Sequence, residues 1–209
     1  MSKQQVIRYV AMAICAALLI VVFIQLGQWQ LRRLDERRER NATIVAHEAE
    51  PTQPYSAVMT KTIDDEDQWY RVTATGTYEP EGFQVRYRSL DGAYGSEIAG
   101  ILKTTEGDYL LVNRGFLQRQ PGHPDGDIPP TVSGEVTVTG YVRRNERGDE
   151  TQMVPHEGGQ LRLLNSDALS TATGKQLVNG FVALEESTPA ETNLLTPIPP
   201  PELDEGPHL

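Results

Sequence analysis

From Tyr9 to Gln30 the chain runs for 22 residues without a formal charge. A helix rises about 1.5 Å per residue, so this run spans about 33 Å, enough for a bilayer core of roughly 30 Å. A chain with such a run must divide into a part that sits in lipid and a part that does not. A cleaved signal sequence would carry an apolar core of about 7–15 residues and then a small-residue cleavage site. Here the run is longer and ends in Gln28-Trp29-Gln30. Residues 9–30 therefore read as an uncleaved transmembrane helix behind a short flank, residues 1–8. Trp29 lies where an interfacial aromatic belongs. Lys3 and Arg8 precede the run, whereas Arg32, Arg33, Arg37, Arg38 and Arg40 follow it. By the positive-inside rule this count, taken alone, places the rest of the chain in the cytoplasm.

The two parts differ in charge. Residues 1–40 hold seven Lys/Arg and three Asp/Glu, net +4, so the total of −10 leaves −14 on residues 41–209. A domain of that sign is repelled by phosphate backbones and by anionic headgroups, which argues against nucleic-acid binding. The single cysteine, Cys15, lies in the membrane run, so an intrachain disulfide is excluded.

Beyond the run, residues 31–50 read as a polar helical extension. Arg32/Glu36 and Glu36/Arg40 stand at i,i+4, and Pro51 and Pro54 end the helix. Residues 51–64 read as a linker. From Trp69 the period becomes two. Tyr70, Val72, Ala74, Gly76 and Tyr78 share one face, with Arg71, Thr73, Thr75 and Thr77 on the other. Phe83, Val85 and Tyr87 alternate with Gln84, Arg86 and Arg88; Val136, Val138, Gly140 and Val142 do so in a later strand. Tyr109–Val112 and Phe181–Leu184 are continuously apolar and suit strands covered on both faces. Turns are expected at Glu79-Pro80-Glu81-Gly82, Glu106-Gly107-Asp108 and Gln120-Pro121-Gly122-His123-Pro124. A short helix is expected over Ser166–Thr173, capped by Asn165 or Ser166. The result is a mainly antiparallel β domain over residues 65–186, a small barrel or a sandwich. Residues 187–209 hold six prolines and read as an extended strap.

Chemistry-bearing motifs are sparse. No cysteine pair, Cys-x-x-Cys-His, Walker loop, Gly-x-Ser-x-Gly or His-Glu-x-x-His occurs, and no catalytic residue or metal site is expected. His47, His123 and His156 read as exposed histidines. His208 follows Gly-Pro near the chain end, where a neutral imidazole at a membrane surface could ligate haem iron. Asp64-Asp65-Glu66-Asp67 reads as a solvated acidic run. Arg114, at the end of an apolar strand, could hold a carboxylate or haem propionate through its planar fork, or pair structurally with a nearby acid.

Leu26-Gly27-Gln28-Trp29-Gln30-Leu31-Arg32-Arg33-Leu34 resembles the Leu-Gly-x-Trp-Gln-x-x-Arg signature that ends the first membrane helix of the surfeit locus protein one family. Trp69-Tyr70-Arg71-Val72 with Thr75-Gly76-Thr77-Tyr78 is similar to its next block. Val112-Asn113-Arg114-Gly115-Phe116 is similar to its Val-Asn-Arg-Gly-Trp block, with phenylalanine for tryptophan. Val138-Thr139-Gly140-Tyr141-Val142-Arg143 resembles its Gly-x-x-Arg strand. Glu205-Gly206-Pro207-His208-Leu209 resembles the Gly-Pro-His-Leu segment before its second membrane helix. The blocks run in family order over residues 26–209. Departures are Phe116, Ile101-Leu102 in place of Pro-Leu, and a second helix that is expected beyond Leu209.

The resemblance implies a membrane hairpin. The N-terminus would be cytoplasmic and the β domain extracytoplasmic, on the outer face of the inner (plasma) membrane, against the local arginine count. It implies a chaperone-like assembly factor, not an enzyme, for haem–copper cytochrome c oxidase. Its partners would be the catalytic subunit, neighbouring respiratory subunits and the bilayer, and the expected task is insertion of haem a. His208 is then the expected haem ligand and Arg114 a propionate partner, with Gln25, Gln28, Trp29, Gln30 and Arg33 forming the partner and membrane interface. The alternative is a stable accessory subunit, in which Gln25 and Gln28 act as interhelical hydrogen-bonding glue. A third expectation is an anchored binding domain for an unrelated partner.

Overall fold

The uncharged run lies inside one uninterrupted helix, α1 (Lys3–Glu48), in the computed structural model, which describes residues 3–120 and 127–200. No proline occurs before Pro51, so nothing removes a backbone donor along its length. From Met12 to Gln30 every side chain is exposed, as expected of a helix whose apolar surface faces lipid. It is the one helix among the described residues long and apolar enough to cross a bilayer. The described chain divides after Thr43. Ile44 and the last turn of α1 belong to the β unit, where Ile44 is buried.

The β unit is a small barrel. Strand β1 (Gln53–Pro54) and the one-turn helix α2 (Tyr55–Val58) lead to β2 (Arg71–Leu90), β3 (Ala93–Thr104), β4 (Tyr109–Gln118) and β5 (Glu135–Arg143). Then come β6 (Gln160–Leu161), α3 (Ser166–Thr173), β7 (Phe181–Thr188) and β8 (Leu195–Thr196). Pairing runs β2–β3–β4–β7–β5, and β5 returns to β2 through Arg71↔Tyr141 to Thr77↔Glu135, which closes the circuit. Closure removes the free edges that an open sheet would expose. Every long pairing is antiparallel; β4 and β7 meet in parallel over Val112↔Val182 and Asn113↔Ala183. The barrel reading is thus the one realised.

The expected alternation holds from Val72 to Tyr78, where even positions are buried. Two expectations for this strand fail. Glu79-Pro80-Glu81-Gly82 is not a turn. It is a bulge inside the 20-residue β2, where the register with β3 shifts between Tyr78 and Gly82. A second shift between Val85 and Arg88 reverses the alternation, so Tyr87, expected beside Phe83 and Val85, is 69% exposed at φ 62°. The hairpin at Asp91-Gly92, both at positive φ, leads into β3, a strand missing from the periodicity reading although Asp-Gly is a strong hairpin signal.

Strand β4 carries Leu110 and Val112 into one apolar cluster and Leu111 into another, which is why its sequence is apolar on both faces. The second cluster includes Leu161, Leu164 and Leu169, brought by the excursion between β5 and β7. Helix α3 has the expected bounds. The Asn165 side chain accepts from the Asp167 and Ala168 amides, and Gly174 at φ 69° ends it.

Residues 51–64, read as a linker, contribute to the core. Tyr55, Met59 and Ile63 are buried, and the Tyr55 hydroxyl bonds Thr104 Oγ1 and Asp108 Oδ2, each at 3.0 Å. Burial pushes the Tyr55 phenol up to about 12. The proline-rich strap also joins the sheet: β8 pairs with Phe116 and Leu117 of β4 in the proline-free gap between Pro189 and Pro197.

Candidate functional site

Side chains from three distant stretches meet at one end of the barrel. Arg143, the last residue of β5, lays its guanidinium carbon 4.1 Å from the Trp69 ring centroid. Its Nε donates to Gln68 Oε1 at 3.2 Å. Trp69 is buried at φ 77°, a costly conformation for a bulky residue. It is held there by its amide, which donates to the Val142 carbonyl at 2.9 Å. The Gln68 carbonyl accepts from His47 Nδ1 at 2.7 Å, and the His47 ring stacks on Tyr70 with centroids 3.7 Å apart. His47, expected to be exposed, is therefore half-buried.

Beside this stack lies a charged cluster. Arg88 Nη2 donates to both Glu146 oxygens (2.7 and 2.6 Å), and Arg88 Nε lies 3.4 Å from Glu97 Oε1. Asn113 Nδ2 donates to Glu97 Oε2 at 2.7 Å, while Asn113 Oδ1 accepts from the Gly115 amide. Glu146 also accepts from the Leu164 amide, which fastens the excursion between β5 and β7 to the barrel. Burial drives the Glu97 carboxyl above its ordinary 4.5, against the pull of Arg88. Burial likewise lowers Arg143, although Glu97 and Glu146 act to raise it. Half-buried ions of both signs beside strained backbone are the physical marks of a functional site, and equally of a structural ion-pair network.

The raised Glu97 value predicts a pH dependence. Above 4.5 the unfolded chain gives up this proton before the folded chain does. Stability contributed by Glu97 is therefore present at low pH and falls as pH rises through the window above 4.5. Relative to Glu97→Gln, the wild type should lose thermal midpoint across that window. A wild type that instead gains on the variant as pH rises would show that Arg88 outweighs burial.

Arg114 lies elsewhere and is 1% exposed. Its Nε and Nη2 grip Glu191 at 2.7 and 2.8 Å, and Nη1 and Nη2 donate to the Pro129 and Pro130 carbonyls at 2.8 and 2.7 Å. The guanidinium also lies 5.8 Å from the Tyr78 ring centroid. Gly115 follows at φ 134°, where a Cβ would stand 2.7 Å from the Thr196 carbonyl oxygen. Asn-Arg-Gly thus ties β4 to Glu97, to segment 129–130 and to the strap.

On α1, Gln25, Gln28, Trp29, Gln30 and Arg33 are all exposed. Gln25, Trp29 and Arg33 follow at four-residue steps along one face with Val21, and Arg33 lies 5.2 Å over the Trp29 ring. Gln30 is one position on from Trp29, about 100° around the axis.

The sequence profile of the SURF1 family matches residues 17–209. The chain belongs to the SURF1 family. An uncharacterized SURF1-like protein of Mycobacterium tuberculosis is 28% identical over 202 residues, covering 94% of this chain and 73% of the relative. A counterpart in Mycobacterium bovis matches equally. A SURF1-like protein of Monosiga brevicollis is 30% identical over 148 residues, 65% of this chain and 55% of its own length. SURF1 proteins are known in general as cytochrome oxidase assembly factors, a family that is not catalytic, and α1 is a candidate membrane anchor.

Of the residues expected to handle haem in this SURF1 chain, His208 lies outside the described residues. Arg114 is described, and its Nε, Nη1 and Nη2 all donate to protein oxygens, which is the structural pairing with a nearby acid. The apolar cavity of about 310 Å³ between Gln84, Leu117, Ile128, Pro129 and Leu194 is lined by no imidazole, thiol or thioether. That cavity therefore offers haem iron none of the side chains that ordinarily ligate it. The cluster of Arg88, Glu97, Arg143 and Glu146 went unread in the sequence. The signal available was Arg88 and Glu97 in a hairpin around Asp91-Gly92.

Proposed function

We propose that this protein is a membrane-anchored assembly factor for haem–copper cytochrome c oxidase, assisting haem a insertion into the catalytic subunit or stabilising that subunit. The family match over residues 17–209 carries this reading. The N-terminus is assigned to the cytoplasm and the barrel to the outer face of the inner membrane, as the family resemblance implies. His208 is the residue we assign to haem, at the lipid–water boundary where an amphiphile can change hands. Gln25, Gln28, Trp29, Gln30 and Arg33 are assigned to the contact with the catalytic subunit; lipid-facing polar side chains gain from a partner helix that supplies hydrogen bonds.

Deleting the protein should lower haem a per catalytic polypeptide in purified membranes while the polypeptide persists, and His208→Ala should reproduce that loss. An unchanged haem-to-polypeptide ratio in the deletion sinks the assembly reading. Haem insertion that survives His208→Ala sinks the ligand assignment alone.

The exposed Gln25–Trp29–Arg33 face also suits a permanent accessory subunit of an oxidase or respiratory supercomplex. Stoichiometry separates the two: an accessory subunit co-purifies one to one with mature oxidase, whereas an assembly factor is scarce there.

A further inference from the structure

Three non-glycine residues have positive φ among the described residues: Trp69, Tyr87 and Asp91. Trp69 is buried, and Asp91 occupies a turn whose geometry aspartate tolerates. Tyr87 is different: a bulky side chain at φ 62° in the second bulge of β2, 69% exposed, so burial does not compensate the strain. Its ring is instead covered by cations. The Arg86 guanidinium carbon lies 5.1 Å from the ring centroid and that of Arg162 lies 4.4 Å from it.

Arg162 reaches this position because Leu161 pairs with Val85, which brings the following residue alongside β2. Arg71, Arg88, Arg114, Arg144 and Arg147 each bond a carboxylate. Arg162 forms no ion pair among the described residues, so its charge is left facing solvent. The cleft beside the ring, about 440 Å³, is completed by Thr151, Gln152 and His156. Asp149 accepts from the Thr151 amide and hydroxyl, and no ion pair joins Arg162 to an acid among the described residues.

We propose that Tyr87 and Arg162 form the docking point for a carboxylate-bearing segment of a partner protein. Exposed tyrosine and arginine are the side chains that dominate interaction hot spots, and an arginine stacked flat on a ring presents its N–H edge to a carboxylate. The partner is protein and not membrane, for a reason of charge. Residues 41–209 carry −14, which repels an anionic lipid surface as a whole. A discrete acidic segment need satisfy only the local cationic point, and the surrounding negative surface disfavours other registers. Naming the oxidase catalytic subunit or its neighbour as that partner rests on the assembly reading above; the docking point itself does not.

The test uses the full chain in its native membranes with a photo-crosslinking benzoylphenylalanine in place of Tyr87. The expected adduct is a peptide of an oxidase subunit carrying Asp or Glu, reduced about tenfold by Arg162→Glu. Tyr87→Gly, which relieves the positive φ, should keep the thermal midpoint at or above wild type while losing oxidase association. An adduct to phospholipid, to a peptide without carboxylates, or one insensitive to Arg162→Glu overturns the proposal. Oxidase association without any adduct at position 87 overturns the docking point alone. An arginine-dependent adduct to an acidic segment of a protein outside the oxidase keeps the docking point and overturns the assembly reading; loss of both association and adduct overturns both.

Discussion

Arg114→Ala should lower the free energy of unfolding of the β unit by about 3–5 kcal/mol, the range for breaking a buried ion pair from one side. That is a large share of the roughly 5–15 kcal/mol that keeps a domain folded. The variant strands Glu191, whose side chain is only 12% exposed, and leaves the Pro129 and Pro130 carbonyls without their donor. Arg114→Lys keeps the charge but not the planar fork that serves three groups at once, so it should fall between the two. Replacing both ions, Arg114→Met with Glu191→Leu, should recover the part of the loss that comes from the stranded charge, leaving the cost of the Pro129 and Pro130 carbonyls. Urea titration of the purified chain in detergent measures all three. Protease sensitivity between Pro189 and Pro200 should rise in the alanine variant, since Glu191 and β8 hold that stretch to β4. A single variant within about 1 kcal/mol of wild type would remove the strap-anchor role given to Arg114.

Gly140→Ala should cost about 3 kcal/mol or more, at the upper end for overpacking. Gly140 lies in β5 at the seam that closes the barrel, opposite Val72 of β2 and Leu184 of β7. A Cβ there would stand 2.1 Å from the Ala183 carbonyl oxygen, 2.8 Å from its carbon and 3.0 Å from Leu184 Cα. All three are backbone atoms, so no rotamer change relieves the clash and β5 must part from β7. Gly27→Ala on α1 is the control, because nothing lies within 4 Å of its Cβ position. The readout is loss of amide-exchange protection along β5 and β7 in the variant. Protection equal to wild type would mean that the seam can open without cost.

These two positions show where local pattern stops informing. Gly140 sits in a run, Val136 to Val142, whose alternation alone marks a strand, and α3 was legible from its cap and length. Nothing local says that β5 faces β2 on one side and β7 on the other, or that glycine is needed because the backbones approach there. Arg114 could be read from the sequence as a residue able to hold a carboxylate. Which carboxylate depends on a strap residue 77 positions away. Bulges are harder still. A single extra residue between Val85 and Arg88 turns Tyr87 from the core to the surface without altering the apolar/polar string by which a strand is recognised.

Composition and periodicity by themselves determined the lipid-spanning length of residues 9–30, the acidic β domain beyond and the strands of period two. These follow from short-range physics: the rise of a helix, the two faces of a strand, and the conformational limits of proline and glycine. The tertiary structure decided that the sheet closes into a barrel, that Tyr55, Met59 and Ile63 join its core and β8 its sheet, and that Arg143 meets Trp69 while Arg88 meets Glu97 and Glu146. Strand register and burial set those pairings across long loops, because a buried ion must find a partner wherever the fold brings one within reach.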